Sequence, residues 1–153
     1  KKEKLREEDY RYPMLRLNGT KREFILWEEP ELLVTQGDVR QVQLAKGAIL
    51  SGFTALLRKA GIGMEDLDKV MIAGQFGAHL PAASLIGTGI LPKEAEGKLV
   101  YVGNSSKTGA YMALMSEKVK REIEALAGKM EYMELAETEN YERIFTESMI
   151  FPG

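Results

Sequence analysis

Lys69-Val70-Met71-Ile72-Ala73-Gly74-Gln75-Phe76-Gly77 and Lys98-Leu99-Val100-Tyr101-Val102-Gly103-Asn104-Ser105-Ser106 follow the same plan. Each opens on a short apolar run rich in β-branched or aromatic residues, the pattern of a buried strand. Each then breaks at glycine and runs toward a helix. In open α/β sheets, ligands lie beyond the carboxyl ends of the strands. Glycine there lets the backbone approach a ligand and take up positive φ. A following helix start offers free N–H groups to an anion or a polar ring. One such junction is ordinary turn chemistry. Two in one small chain point toward a nucleotide site.

Outward from these junctions, the pattern alternates strand and helix. Thr35 is an N-cap with Asp38 three residues on, a short-armed capping box. Val39, Val42, Ala45, Ile49, Phe53, Leu56, Leu57 and Ala60 then recur at helical spacing until Gly61, placed for a left-handed cap. Gly47 and Gly52 interrupt this helix, each costing about 1 kcal/mol against alanine. Such a cost implies close approach by another helix or by a flat ligand. Upstream, Met14–Leu17 and Glu23–Trp27 read as strands joined at Asn18-Gly19, a pair that favours a type I′ turn. Pro30 ends the second strand, and Leu32–Val34 leads into the helix. Downstream, Pro81 to Ile86 starts a short helix. Further helices are expected from Asn104 through Leu114, over Val119–Ala127 and over Tyr141–Ser148, with a last strand at Glu131–Leu135. The expected class is α/β, a mixed sheet with flanking helices. Residues 1–12, nine of them charged, read as a linker or lead-in, and 13–153 as one domain. A start at Lys1 rather than Met suggests a segment of a longer protein.

Composition excludes several classes. The 21 basic and 23 acidic residues leave a net charge of -2, without the excess of cations a nucleic-acid surface needs. No apolar run reaches the ~18 residues of a membrane span. With no cysteine, the chain holds no disulfide, thiolate nucleophile, zinc–cysteine site or iron–sulfur cluster.

Single residues carry less. Gly103 to Thr108 is not a phosphate-binding P-loop, because Ser106 rather than glycine precedes Lys107. Gly74-Gln75-Phe76-Gly77 lacks the third glycine of a dinucleotide fingerprint. His79 is the lone histidine, so no transition-metal set forms around it. Glu65, Asp66 and Asp68 read as a solvated acidic turn before they read as a Mg²⁺ site. The eight methionines have core-like spacing. Lys46, between Ala45 and Gly47, has room to reach a phosphate or ribose; its plainer reading is a snorkelling surface lysine.

In combination the motifs are specific. Thr35-Gln36-Gly37-Asp38-Val39-Arg40-Gln41-Val42-Gln43-Leu44-Ala45-Lys46-Gly47-Ala48-Ile49 resembles the TQ-x-D-(I/V)-R-x-x-Q-x-A-K-x-A-I helix of the ATP-dependent reductive activators of corrinoid proteins. Ala73-Gly74-Gln75-Phe76-Gly77 resembles that family's AG-x-FG turn. Ile86-Gly87 through Leu91-Pro92 resembles its IG-x-x-P region. Gly103-Asn104-Ser105-Ser106 with Gly109-Ala110 resembles its GN-(S/A)-(S/A)-x-x-GA helix start. The resemblance covers about residues 30–116.

It implies one lobe of the actin-like, ribonuclease H-like ATPase fold shared with sugar kinases and heat-shock chaperones. It also implies an activity of the parent: using ATP with Mg²⁺ to help reduce an inactive Co(II) corrinoid protein to the methyl-accepting Co(I) state. Carried over by motif, Gly74, Gln75, Phe76 and Gly77 would form the adenosine turn. Gln43 and Lys46 would flank the nucleoside, with Gly103 and Asn104 in support. No catalytic residue and no metal ligand carries over. The chain lacks the family's Asp-x-Gly phosphate loops, so it matches most of the second lobe, and the segment alone is expected to be inactive. An iron–sulfur cluster, and electron donation through it, are expected elsewhere in the parent. A corrinoid methyltransferase component is the implied partner, in the cytoplasm, with no nucleic-acid or membrane partner and with homodimerisation left open. Two alternatives stand: an activator of a 2-hydroxyacyl-CoA dehydratase-type enzyme, and a non-catalytic actin-like interaction module. If Gly77 lies against the nucleotide, Gly77→Val is expected to abolish ATP binding while leaving the thermal midpoint near wild type.

Overall fold

The structure, a computed structural model, describes residues 14–74 and 77–152. Its elements run β1 (Leu15–Asn18), β2 (Lys21–Trp27), β3 (Leu32–Thr35), α1 (Gln36–Ala60), β4 (Val70–Ala73), α2 (Ala82–Gly87), β5 (Leu99–Gly103), α3 (Ser105–Met115), α4 (Glu117–Ala127) and α5 (Tyr141–Ser148). Short 3-10 turns lie at Gly77–His79, Lys93–Ala95 and Leu135–Glu137. This is the α/β class expected, with its strands in two sheets: β1-β2-β3 and β4-β5. The chain divides into two compact units, Lys1–Ala45 and Lys46–Gly153, so the boundary falls inside α1. The ladder bonds of β1–β3 are made with one another. The expected lead-in at 1–12 lies outside the described residues.

In the first unit, β1 and β2 pair antiparallel from Leu15↔Phe24 to Asn18↔Lys21. The loop is therefore Gly19-Thr20, one residue later than the sequence suggests. Gly19 has φ 62° and Thr20 is not in the positive-φ region, the sign pattern of a type II′ rather than a type I′ turn. Leu32–Thr35 is a strand paired with β2, not only a lead into the helix. Glu23 is 5% exposed, and its carboxylate accepts from Arg16 Nε at 3.0 Å and Asn18 Nδ2 at 3.2 Å. The other side of the Arg16 guanidinium grips Glu31 through two bonds of 2.7 and 3.1 Å. The capping box forms as read: Asp38 N–H donates to Thr35 Oγ1 at 3.2 Å, and Thr35 N–H donates to Asp38 Oδ2 at 2.8 Å. The Thr35 hydroxyl also donates to Asp38, and together these bonds hold that carboxyl below its usual range.

In the second unit, β4 and β5 run parallel from Val70↔Leu99 to Ala73↔Gly103. A core of Met64, Val70, Leu85, Leu91 and Ala95 gathers Phe53, Leu57, Ile72 and Leu99 around it. The face of α1 that is fully buried is not the apolar stripe; it is Lys46, Gly47, Ser51 and Ala55, a row of mostly small residues. Ile49 and Leu56, from the stripe, are 51% and 54% exposed. The small row admits the end of the chain. A methyl built on Gly47 would stand 2.7 Å from Met149 Cγ and 3.4 Å from Phe145 Cε2. Of the two readings of that glycine, close approach by a helix is the one the structure realises. Ser51 Oγ meets the Tyr141 hydroxyl at 2.9 Å.

The expected strand at Glu131–Leu135 is absent; its end is the 3-10 turn Leu135–Glu137. Local side-chain bonds take the place of a ladder there: the Tyr132 hydroxyl donates to Glu134, which also accepts from the Ala136 amide. The other expected helices form, with α5 at the bounds read from the sequence and Asn104 as the N-cap of α3, its Oδ1 accepting from Lys107 N–H at 3.0 Å. No helix among the described residues is long and apolar enough to cross a membrane.

Candidate functional site

Because β4 and β5 are neighbours and parallel, both glycine junctions emerge at the same end of the sheet. They touch: the Gly74 amide donates to the Gly103 carbonyl at 2.8 Å. Gly74 has φ 97° and Gly103 φ 62°, conformations that suit glycine and burden other residues. Among the described residues, a side chain built on either would meet nothing within 4 Å, so open space lies against both backbones. The pairing slips here, Ile72↔Tyr101 being followed by Ala73↔Gly103, which leaves Val102 as an extra residue on β5. A bulge at a strand end bends the chain and re-aims the residues after it, and bulges gather beside functional sites.

The two junctions differ beyond this point. Gly103 leads directly into α3, whose first turn already has one amide bound by Asn104. Gly74 leads into the 3-10 turn Gly77–His79, and the short α2 comes only after Pro81. After the first junction the next α-helix is thus α2, reached only past the 3-10 turn. Gln75 and Phe76 lie outside the described residues.

Gly77 is buried, and a side chain there would stand 2.6 Å from Ile72 Cγ2. The glycine is needed for close approach to the protein itself. Gly77→Val is thus expected to destabilise the domain by about 2 kcal/mol through overpacking. A thermal melt checks this, and an unchanged midpoint would return Gly77 to the open side of the turn.

Gln43 is half-buried on α1, in the first unit. Lys46 is 2% exposed, so it is not the surface lysine its spacing suggests. Its ammonium donates to the carbonyls of Ser148 at 2.6 Å and Ile150 at 2.8 Å. Burial holds its pKa below the usual lysine value. The pattern around Lys46 offers no sign of this, because both acceptors are main-chain groups more than a hundred residues away. A pocket of about 430 Å³ beside it is walled by Leu50, Ile86, Leu91, Ile150 and Pro152. His79 is exposed, and Asp66 accepts the Gly63 amide at 2.7 Å, closing the acidic turn. Among the described residues no group of three or more His, Cys, Asp or Glu is placed to hold a metal ion.

Parallel strands with paired glycine turns at their carboxyl ends, flanked by helices, are the arrangement at which α/β domains hold their ligands. Over residues 1–153 the chain matches the family described as the C-terminal domain of RACo, the ASKHA domain, and it belongs to that family. It is 36% identical over 109 residues to the corrinoid activation enzyme RamQ of Eubacterium limosum, covering 71% of this chain and 18% of that protein. It is 26% identical over 118 residues to the [Co(II) methylated amine-specific corrinoid protein] reductase of Methanosarcina barkeri, covering 76% of this chain and 22% of that one. A solved reductive activator for corrinoid, iron-sulfur protein superposes with a TM-score of 0.79 at 33% identity, over 92% of this chain and 23% of that one. The chain thus spans about a fifth of the length of these relatives. The family expected from the motifs is the one found.

Proposed function

We propose that this chain is the nucleotide-binding lobe of a protein that uses ATP to drive reduction of an inactive Co(II) corrinoid protein to Co(I). The observation that carries the reading is the junction pair: Gly74 and Gly103, hydrogen-bonded to each other, with open space against both backbones. In this reading Gly74, Gln75, Phe76 and Gly77 form the adenosine turn. Gly103 and Asn104 border it.

The open glycine backbones suit a flat nucleoside, which needs close approach more than charge. The sequence carries no Asp-x-Gly phosphate loop, and in this reading metal and phosphates fall to loops outside this segment. An iron–sulfur cluster does not fit this chain, which has no cysteine, and belongs elsewhere in the parent together with the electron donor. Bound ATP supplies binding energy that differs between two conformations, and it shifts the corrinoid equilibrium only to that extent. A lobe able to close on nucleotide is a suitable bistable element. The partner is the corrinoid methyltransferase component; a cytoplasmic location and a homodimer complete the proposal.

The test mixes the full-length protein with a Co(II) corrinoid protein and a low-potential donor and follows Co(I) absorbance. Co(I) is expected only when Mg-ATP is present. Equal Co(I) without ATP, with the donor shown competent, overturns the reading and leaves a non-catalytic interaction module.

A further inference from the structure

Lys46 is a buried cation without a partner anion. An ammonium carries three donors, and two of them go to the neutral carbonyls of Ser148 and Ile150. Among the described residues no carboxylate pairs with it. A buried lysine is ordinarily matched by an opposite charge. The same residue walls the pocket of about 430 Å³. Three stretches converge there: α1, the loop after α2 and the end of the chain. They meet at Gly89, where a methyl would stand 2.9 Å from both Lys46 Cε and Pro152 Cδ. Leu50, Ile86, Leu91, Ile150 and Pro152 give the pocket apolar sides, and Lys93 is its second cation. Among the described residues no aspartate or glutamate lines it. Lys93 opens the 3-10 turn Lys93–Ala95, and Ala95 is wholly buried in the core, so the lysine's backbone is fixed. Its exposed side chain makes no ion pair or hydrogen bond among the described residues.

From this geometry we infer that the pocket binds a small apolar monocarboxylate, with a chain of about eight carbons. Lys93 takes the anionic head, and the tail lies along Leu50, Ile86 and Ile150. Lys46 adds the field of a cation that the protein leaves unbalanced, which favours an anion over a neutral ligand of the same shape. No arginine and no α-helix N-terminus lines the pocket, the features that gather on a doubly charged phosphate, so a singly charged head fits better. None of these residues lies at the glycine junctions, and the site stands apart from the nucleotide reading.

The experiment titrates the full-length protein calorimetrically with octanoate and with octanol, in wild type, Lys93→Glu and Ile150→Ser. Both substituted side chains are exposed, Ile150 by 68%, so the core is left in place. Wild type is expected to bind octanoate saturably, about fivefold more tightly than octanol. Lys93→Glu is expected to weaken octanoate about tenfold and to leave octanol unchanged. Ile150→Ser is expected to weaken both about threefold, because it shortens the apolar wall and spares the head. The ratio of the two affinities is the deciding readout: a loss of competent protein, reversible or not, weakens both ligands alike and leaves their ratio as it was. No saturable octanoate binding in wild type, or an unchanged ratio in Lys93→Glu, overturns the site. Octanol bound as tightly as octanoate by wild type overturns the anionic class, and full affinity for both ligands in Ile150→Ser places the binding elsewhere and overturns the pocket.

Discussion

Lys46→Met is expected to lower the stability of this domain by about 2 kcal/mol, and Lys46→Ala by about 4 kcal/mol. Lys46 is 2% exposed and its ammonium holds two carbonyls, those of Ser148 and Ile150. Ser148 is the last residue of α5, where carbonyls have no partner within the helix and a cation also meets the negative end of the helix dipole. Methionine keeps the stem and removes the donors, leaving two acceptors unserved. Hydrogen bonds to a charged donor contribute about 1.5–3 kcal/mol each, but burying the ammonium costs part of that return. The net is therefore less than the sum of the two bonds. Alanine adds a cavity where the stem packs near Gly89 and Pro152. Equilibrium urea unfolding gives the loss, and faster amide exchange in α5 locates it. A methionine variant as stable as wild type would show that desolvation cancels the bonds.

Gly103→Asn in the full-length protein is expected to weaken nucleotide binding about thirtyfold, equivalent to about 2 kcal/mol. The argument is steric. A side chain at 103 enters the open space against the paired junctions, where the proposed nucleoside lies. Asparagine is chosen because it tolerates positive φ better than other residues, at about 1 kcal/mol of folding stability. Gly97→Asn controls for that strain, since Gly97 has φ 79° and equally open surroundings before β5 begins. The expected pattern is a similar small loss of stability in both variants and lost binding only in Gly103→Asn. Equal affinity in the two would move the ligand away from Gly103.

Much of the fold was legible because local rules governed it. The capping box Thr35/Asp38, the span of α1, the Asn104 cap and α5 each follow from neighbours in the chain. The strand runs before Gly74 and Gly103 were visible for the same reason. Glu131–Leu135 misled because alternation alone does not supply a neighbouring strand, and the local bonds of Glu134 captured the segment instead. The apolar stripe of α1 does not mark Ser51, which is buried against Tyr141 of α5 rather than by hydrophobicity.

The motif set by itself determined the family, the α/β class and the two glycine junctions as candidate ligand contacts. It did so because helix caps, strand runs and turn glycines are specified within a few residues. Only the tertiary structure decided that the junctions are hydrogen-bonded neighbours, that Gly77 faces Ile72, that Tyr101 ties down Leu80 and that Lys46 is a buried clamp. Each of these depends on a main-chain group or an apolar surface brought in from elsewhere in the chain, and such partners leave no mark in the local residue pattern.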